Sequence, residues 1–293
     1  MPGLTGGTVA SGEAHLALVI GCGGLGMGVA RALGKHHPLL VVDIDAGRLT
    51  AAIEALRLEG YAASGFQCDI TNPAQVGLLG DALSRRGGVR VLAHIAAIGN
   101  VANDWRQMMA VDLIGPHLIA DAVEPYLLRG GVAIFVGSLA GYLPPPSKEI
   151  EKLLDEPLKP DFMEALAGLI GDQPKWFDTY AYAKLGVMRL AEKRAMKWGS
   201  SGVRALSISP GMIDSPMARA QGATLPSHDG ADREVPRDEK AQEIPLGREG
   251  SMLEIISVLA FVASDAASFM NGIDLVVDGG HRAVWRDRGV ISR

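Results

Sequence analysis

Cysteine is nearly absent: Cys22 and Cys68 are the two in 293 residues, and no Cys-x-x-Cys pair occurs. That rules out a disulfide framework or a thiolate zinc cage as the source of stability. The seven histidines (15, 36, 37, 94, 117, 228 and 281) are scattered, with no His-x-His or His-Glu-x-x-His spacing, so no metal site is expected. His36-His37 reads as part of a helix-to-strand turn. An excess of positive charge is also missing. With 28 Lys+Arg against 33 Asp+Glu the net charge is −5, which gives no electrostatic reason to expect nucleic acid or an anionic membrane as partner. The apolar run "LALVIGCGGLGMGVARAL" is broken by glycines and carries Arg31, so it does not read as a membrane span. The opening "MPGLTGGTVASGEAH" lacks a basic n-region and an apolar h-region; residues 1–14 are expected to be a flexible tail, and the location cytoplasmic.

What is present is an ordinary globular balance, 48% hydrophobic and 21% charged, with enough length to bury a full core. Apolar runs of strand length recur at 16–21, 39–44, 65–70, 89–96, 131–138, 203–210 and 273–279, separated by amphipathic stretches of helix length. Near-continuous hydrophobic strands alternating with helices predict an α/β fold: one doubly wound, Rossmann-type parallel sheet of about seven strands with helices on both faces. Right-handed crossovers place ligands at the carboxyl ends of the strands. No repeat or low-complexity linker appears, so residues 15–293 are expected to form a single dinucleotide-binding domain. Two excursions break the rhythm, 141–177 and 218–243, and are expected to act as a lid-like insert and a substrate-binding loop.

The first strand runs into Gly21-x-Gly23-x-x-Gly26, which opens a helix. Gly21, Cys22, Gly23, Gly24, Leu25 and Gly26 would bring bare backbone to a pyrophosphate lying on the helix's positive end. The motif alone is common in a chain with 37 glycines; its placement gives it weight. The second strand ends at Asp43, seventeen residues past Gly26, with Ile44 beside it. A carboxylate there accepts from ribose hydroxyls and repels a 2′-phosphate. No Arg or Lys stands in the glycine loop or next to Asp43, so NAD(H) is expected over NADP(H). The other reading of Asp43 is a helix N-cap or turn residue. Cys22 and Cys68 follow strands one and three, which flank strand two. Two strand spacings separate them by about 10 Å, too far for a disulfide.

Two of the five tyrosines fall in "DTYAYAKLGV", residues 178–187. On a helix Tyr180 and Lys184 share a face, whereas Tyr182 points elsewhere. Taken alone, the stretch is a packed helix with a solvated lysine. The fifth strand ends in "FVGSLAGY", which presents Ser138 at the ligand edge, and "SPGMIDSPM" (209–217) follows the tyrosine helix. Near the end come Pro-Leu-Gly-Arg, Ala-Ser-Asp-x-Ala-Ser and Val-Asp-Gly-Gly within 245–280.

With these motifs the chain resembles a short-chain dehydrogenase/reductase over roughly residues 15–283. The long insert and "KWGSSGVR" are similar to the bacterial 3α-hydroxysteroid dehydrogenase/carbonyl reductase group. The resemblance implies Tyr180 as acid/base, Lys184 as its activator and ribose holder, and Ser138 as anchor of the carbonyl oxygen. It implies adenine contact at Asp69 and Ile70 and cofactor backbone contact at Ala96 and Ala97. Pro210, Gly211, Ile213 and Ser215 would face the nicotinamide. A homotetramer or homodimer is implied as well. The chemistry is consistent, because a phenol is a poor base at neutral pH and a neighbouring ammonium favours its ionised form.

The chain departs from the family pattern at three places. The glycine loop is one residue short and lacks the threonine. His94-Ile95-Ala96-Ala97 stands for Asn-Asn-Ala-Gly, and Val111-Asp112-Leu113 for Val-Asn-Leu. Asp112 thus occupies the position of a relay asparagine and adds negative charge near Lys184. The expected function is hydride transfer between NAD(H) and a medium-to-bulky, mostly apolar secondary alcohol or ketone, such as a steroid, terpenoid or aromatic alcohol. The aromatic residues Tyr142, Phe162 and Trp176 are expected at the substrate. The alternatives are a catalytically weak NAD-binding sensor or scaffold, or an epimerase or dehydratase on the same fold.

Overall fold

The computed structural model describes residues 15–99, 104–143, 147–220, 224–226 and 234–291. The predicted tail 1–14 lies outside the described residues, as does part of the 218–243 loop. Seven strands form one wholly parallel sheet: β1 (Leu16–Ile20), β2 (Leu39–Asp43), β3 (Ala63–Gln67), β4 (Val89–His94), β5 (Leu127–Val136), β6 (Arg204–Pro210) and β7 (Asp274–Val277). Their order is β7-β6-β5-β4-β1-β2-β3. The chain winds outward through β1, β2 and β3, then returns to β4 on the other side of β1. That reversal opens a crevice at the carboxyl ends of β1 and β4.

The near-continuous apolar strands follow from burial on both faces. Leu16, Leu18 and Ile20 join one core cluster while Ala17 and Val19 join another, which is the two-residue alternation of a strand. The first cluster takes residues of α3 (Pro73–Ser84), α5 (Gly115–Val123) and α8 (Trp176–Trp198); the second takes α1 (Gly24–Gly34), α2 (Ala46–Leu58) and α11 (Met252–Ala263). Phe135 is fully enclosed. The helix starts carry their own stops: the Asp45 and Asn72 side chains cap α2 and α3, and Ser251 with Glu254 forms a capping box on α11.

Strand ends differ from the sequence reading where glycine and polar residues intervene. The third strand begins at Ala63 and stops before Cys68, and the fifth begins at Leu127, four residues ahead of the expected Gly131. The insert carries α6 (Lys148–Leu154) and α7 (Phe162–Ile170). These pack on Trp105 and Met109 of α4 (Trp105–Met109), and on Leu113 and Ala183, through Ile150, Leu154, Phe162 and Leu166. Phe162 is therefore a core residue of this satellite cluster rather than a substrate contact. Tyr182 packs against the same cluster, on the helix face opposite the cavity described below. Cys22 and Cys68 are both free and buried. No described helix is long and apolar enough to cross a membrane.

Because Phe162 is 1% exposed, Phe162→Ala should destabilise the protein by about 3–5 kcal/mol, read from urea unfolding. A loss below about 1 kcal/mol would show that the insert is not held by this side chain.

Candidate active site

The glycine turn forms because β1 must give way to α1 within three residues. Gly21 adopts φ +94°, and a Cβ there would lie 2.9 Å from the backbone of Ala96 across the crevice. The N-cap of α1, Gly23, offers no side-chain hydrogen bond, and the first turn carries no acid. The first N–H groups of an eleven-residue helix thus face the crevice bare. This fits a phosphate bridge.

A cavity of about 610 Å³ extends from this turn along the carboxyl edge of the sheet. Its walls include Gly21, Gly23, Gly24, Leu25 and Gly26, then Asp43, Ile44, Asp69 and Ile70 at one end. Ala96, Ala97, Ser138, Tyr180 and Lys184 line its middle, with Pro210, Gly211, Ile213 and Ser215 beyond. Nearly all the residues singled out in the sequence therefore meet in one place. Two do not line it. Cys22 is buried, and its N–H and S–H both donate to Asp43 Oδ2, at 2.9 and 3.2 Å. Its backbone donor is spoken for, which corrects its assignment to the phosphate cradle. Asp112 lies behind Lys184.

The Asp43 end holds a residue the sequence reading missed. Arg48, on α2, donates from Nη2 and Nε to Asp43 Oδ1 at 2.8 and 3.2 Å and itself lines the cavity. The expectation of no basic group near Asp43 considered only chain neighbours, whereas one turn of helix returns Arg48 to it. Burial pushes the Asp43 carboxyl up, but Arg48 and the Cys22 and Asp45 donors outweigh it and hold it below the usual range. Burial, then the Asp43 hydrogen bond, pushes the Cys22 thiol up to about 12, and burial pushes Cys68 up to about 11.

At the other end Lys184 and Asp112 form a buried ion pair, Nζ to Oδ2 3.1 Å, with side chains 3% and 0% exposed. Asp112 Oδ1 accepts the Ile98 N–H at 2.7 Å. Asp112 sits in a π-helical turn, Ala110–Ile114, between α4 and α5. Such turns insert a residue and re-aim side chains. Helix α8 can approach this turn because residue 186 is glycine: a Cβ there would stand 2.5 Å from Leu113. Burial disfavours the Lys184 ammonium, but Asp112 and then Tyr180 overcome it and hold its pKa above the usual lysine value. Burial pushes the Asp112 carboxyl up, against the pull of Lys184 and the Ile98 N–H.

Lys184 Nζ lies 5.4 Å from the Tyr180 ring centroid. Trp176 and Phe177 flank Tyr180, each with its ring 6.4 Å away. Ser138 Oγ accepts the Ala140 N–H at 3.2 Å, which leaves its own O–H to donate. The segment after Ser138 is braced from below. The Tyr142 hydroxyl donates to Asp274 Oδ2 at 2.8 Å, and Ser207 and Ser209 donate to Oδ1 of the same carboxylate at 2.6 and 2.8 Å. Tyr142 is thus structural, and among the described residues of 141–177 the cavity is lined by Trp176 and Phe177. His94, the first of the altered residues after β4, is enclosed and stacks on Phe135; burial pushes it down to about 3, so its ring is neutral. No cluster of three potential metal ligands occurs among the described residues.

A parallel doubly wound sheet with a glycine turn, and a Ser, Tyr and Lys converging at its crevice, defines a dinucleotide-dependent class of protein. Two family profiles match, one described as short chain dehydrogenase over residues 15–149 and one as Enoyl-(Acyl carrier protein) reductase over 169–282. The chain belongs to the short-chain dehydrogenase/reductase family. It is 28% identical to a D-threitol dehydrogenase of Mycolicibacterium smegmatis, over 92% of this chain and 93% of the relative. It is also 28% identical to a cis-4-hydroxycyclohexanecarboxylate dehydrogenase of Sinomonas cyclohexanicum, over 92% and 97%. Among solved structures it is similar to that titled gox2181, with a TM-score of 0.71 and 25% identity over 92% and 96% of the two chains. The family makes it an oxidoreductase, and the two relatives are named as dehydrogenases.

Both thiols should resist iodoacetamide at about pH 8 in the native protein and react once it is unfolded, because the thiolate is the reactive form. Rapid native labelling would contradict the Asp43–Cys22 geometry.

Proposed function

We propose that the chain is an NAD(H)-dependent secondary-alcohol dehydrogenase and ketone reductase. The observation that supports this most is the meeting of Ser138, Tyr180 and an ion-paired Lys184 on one wall of the cavity that begins at the glycine turn. The nicotinamide supplies or accepts the hydride. In oxidation Tyr180, as phenolate, takes the proton of the substrate hydroxyl, and in reduction it returns a proton to the developing alkoxide. Ser138 donates a hydrogen bond to the same oxygen, which fixes the substrate's orientation and spreads the developing charge. Lys184 favours the ionised tyrosine electrostatically and holds the nicotinamide ribose. Asp112 acts through Lys184, fixing the position of its Nζ and tempering its charge. Gly21, Gly23, Gly24, Leu25 and Gly26 would hold the pyrophosphate, Asp69 and Ile70 the adenine, and Ala96, Ala97, Pro210, Gly211, Ile213 and Ser215 the nicotinamide half.

NAD(H) is favoured over NADP(H) because Asp43 stands where a 2′-phosphate would fall and Arg48 is already committed to it. The substrate end is walled by Leu139, Trp176, Phe177, Met212 and Met217, which suits a medium-to-bulky alcohol with apolar flanks. Relatives named for cyclic hydroxy acids bring alicyclic alcohols into that range. Exposed Leu253, Phe261 and Phe269, on α11 and just after it, support the homodimer or homotetramer.

Tyr180→Phe should lower NADH production from secondary alcohols by about 10²–10⁴-fold while NAD+ binding persists. Equal turnover by wild type and variant on every alcohol would end the dehydrogenase reading. Asp112→Ala should destabilise the protein by about 3–5 kcal/mol, read from urea unfolding, because it leaves the buried Lys184 ammonium without its partner. An unchanged unfolding midpoint would deny Asp112 its role. Wild type should use NAD+ more efficiently than NADP+, and Asp43→Ser should narrow that ratio; a wild-type preference for NADP+ would overturn the cofactor reading.

A further inference from the structure

The far wall of the cavity holds a group that the proposed chemistry does not use. His281 opens the C-terminal helix α12 (His281–Asp287), directly after the Gly279-Gly280 turn. It is 1% exposed, yet it lines the cavity. Neither ring nitrogen has a hydrogen-bond partner. A neutral imidazole carries one donor and one acceptor, and leaving both unmet in the interior is unfavourable. The ring meets Trp285 edge to face, with centroids 4.9 Å apart, and that contact can occupy one N–H at most. Burial pushes His281 down from its ordinary value, so the neutral form stands against the cavity.

The surroundings place this ring at the substrate's end of the cavity. Trp285, one turn along α12, packs with Leu139, the residue after Ser138. Strand β7, which leads into α12, lies two strands from β5, which leads into Ser138. Two strand spacings separate these strands by on the order of 10 Å. Three other polar groups nearby are already engaged. Arg237 is held by Glu249 at 2.5 and 2.9 Å and by the Ile213 carbonyl at 3.0 Å. Asp278 accepts the backbone N–H groups of Gly280 and Arg282. The buried Lys240 of α10 (Arg237–Gln242) lines the same end and makes its own contact.

We propose that His281 is a specificity-determining residue that hydrogen-bonds an oxygen substituent, hydroxyl or carboxylate, carried by the substrate at the end remote from its carbinol. The preferred substrate is then a secondary alcohol with a second oxygen function across an apolar body, not a plain hydrocarbon alcohol. This rests on the dehydrogenase reading above and deepens it. A ring nitrogen with no partner in the protein is satisfied by a ligand that brings an oxygen and left unpaired by one that displaces water without supplying it, so the discrimination is built from a polar group left unpaired by the wrong substrate.

The test compares cyclohexanol, 1,4-cyclohexanediol and 4-hydroxycyclohexanecarboxylate, which share one ring and differ only in the remote substituent. Wild type should show kcat/KM at least tenfold higher for the diol, the acid or both than for cyclohexanol. The diol responding alone identifies a hydroxyl, and the acid responding alone a carboxylate. His281→Phe should bring that ratio close to one, and His281→Gln, which keeps a donor and an acceptor, should retain much of it. NAD+ binding by each variant confirms that it is folded. A wild-type ratio near one, or a high ratio untouched in a folded His281→Phe, overturns the proposal. Failure of the dehydrogenase reading would look different: Tyr180→Phe would then leave all three alcohols turned over as in wild type.

Discussion

A lysine ammonium enclosed in protein needs a counter-charge, and the site is arranged around meeting that need. Lys184 sits at the inner wall of the crevice with Asp112 3.1 Å from its Nζ. Burying either charge alone would cost several kcal/mol; together, with the Ile98 N–H on the second carboxylate oxygen, they are held in one geometry. The pair exists because two elements come unusually close. A π turn swings Asp112 inward, and Gly186 lets α8 lie against that turn at Leu113. Everything else at this end follows from the position of α8: Tyr180 sits one turn before Lys184, and Trp176 and Phe177 one turn before that.

The remaining parts of the cavity come from the parallel sheet. Seven parallel strands place the ends of β1, β2, β4, β5 and β6 along a single edge. Residues far apart in sequence, such as Gly21, Asp43, Ala96, Ser138 and Pro210, then line up in the order of the strands. The Asp274 carboxylate ties β6, β7 and the segment after Ser138 together through three hydroxyl donors. A shelf of this kind suits a reaction that depends on holding two partners in register.

Much of this was legible in the sequence, for reasons that can be named. Strand rhythm and the glycine turn are local features, so the sheet, the first crevice wall and the carboxylate at Asp43 could be placed from residue spacing. Tyr180 was preferred to Tyr182 by helical periodicity alone, and Tyr182 does fall in a packed cluster on the other face. What escaped depends on contacts between distant segments. Arg48 reaches Asp43 around a turn of helix, which adjacency along the chain does not show. Cys22 was assigned to the phosphate cradle, since nothing in a Gly-x-Gly spacing shows that its N–H is already bound by Asp43. Tyr142 and Phe162 looked like substrate contacts from composition, but one is tied to Asp274 and the other anchors the insert to α4 and α8. His281 gave only a faint signal, a polar ring at a helix start just after two glycines. Its meaning appears once the helix is folded back onto the cavity.

The most direct test of the account is a crystal structure with NAD+ and a secondary alcohol bound. The account predicts a dinucleotide running from Asp43 past the glycine turn to Lys184, with the ribose next to the nicotinamide within hydrogen-bond reach of Lys184 Nζ. The alcohol oxygen should lie between the Tyr180 and Ser138 hydroxyls. A cofactor bound elsewhere, or a carbinol oxygen beyond reach of Tyr180, would contradict it.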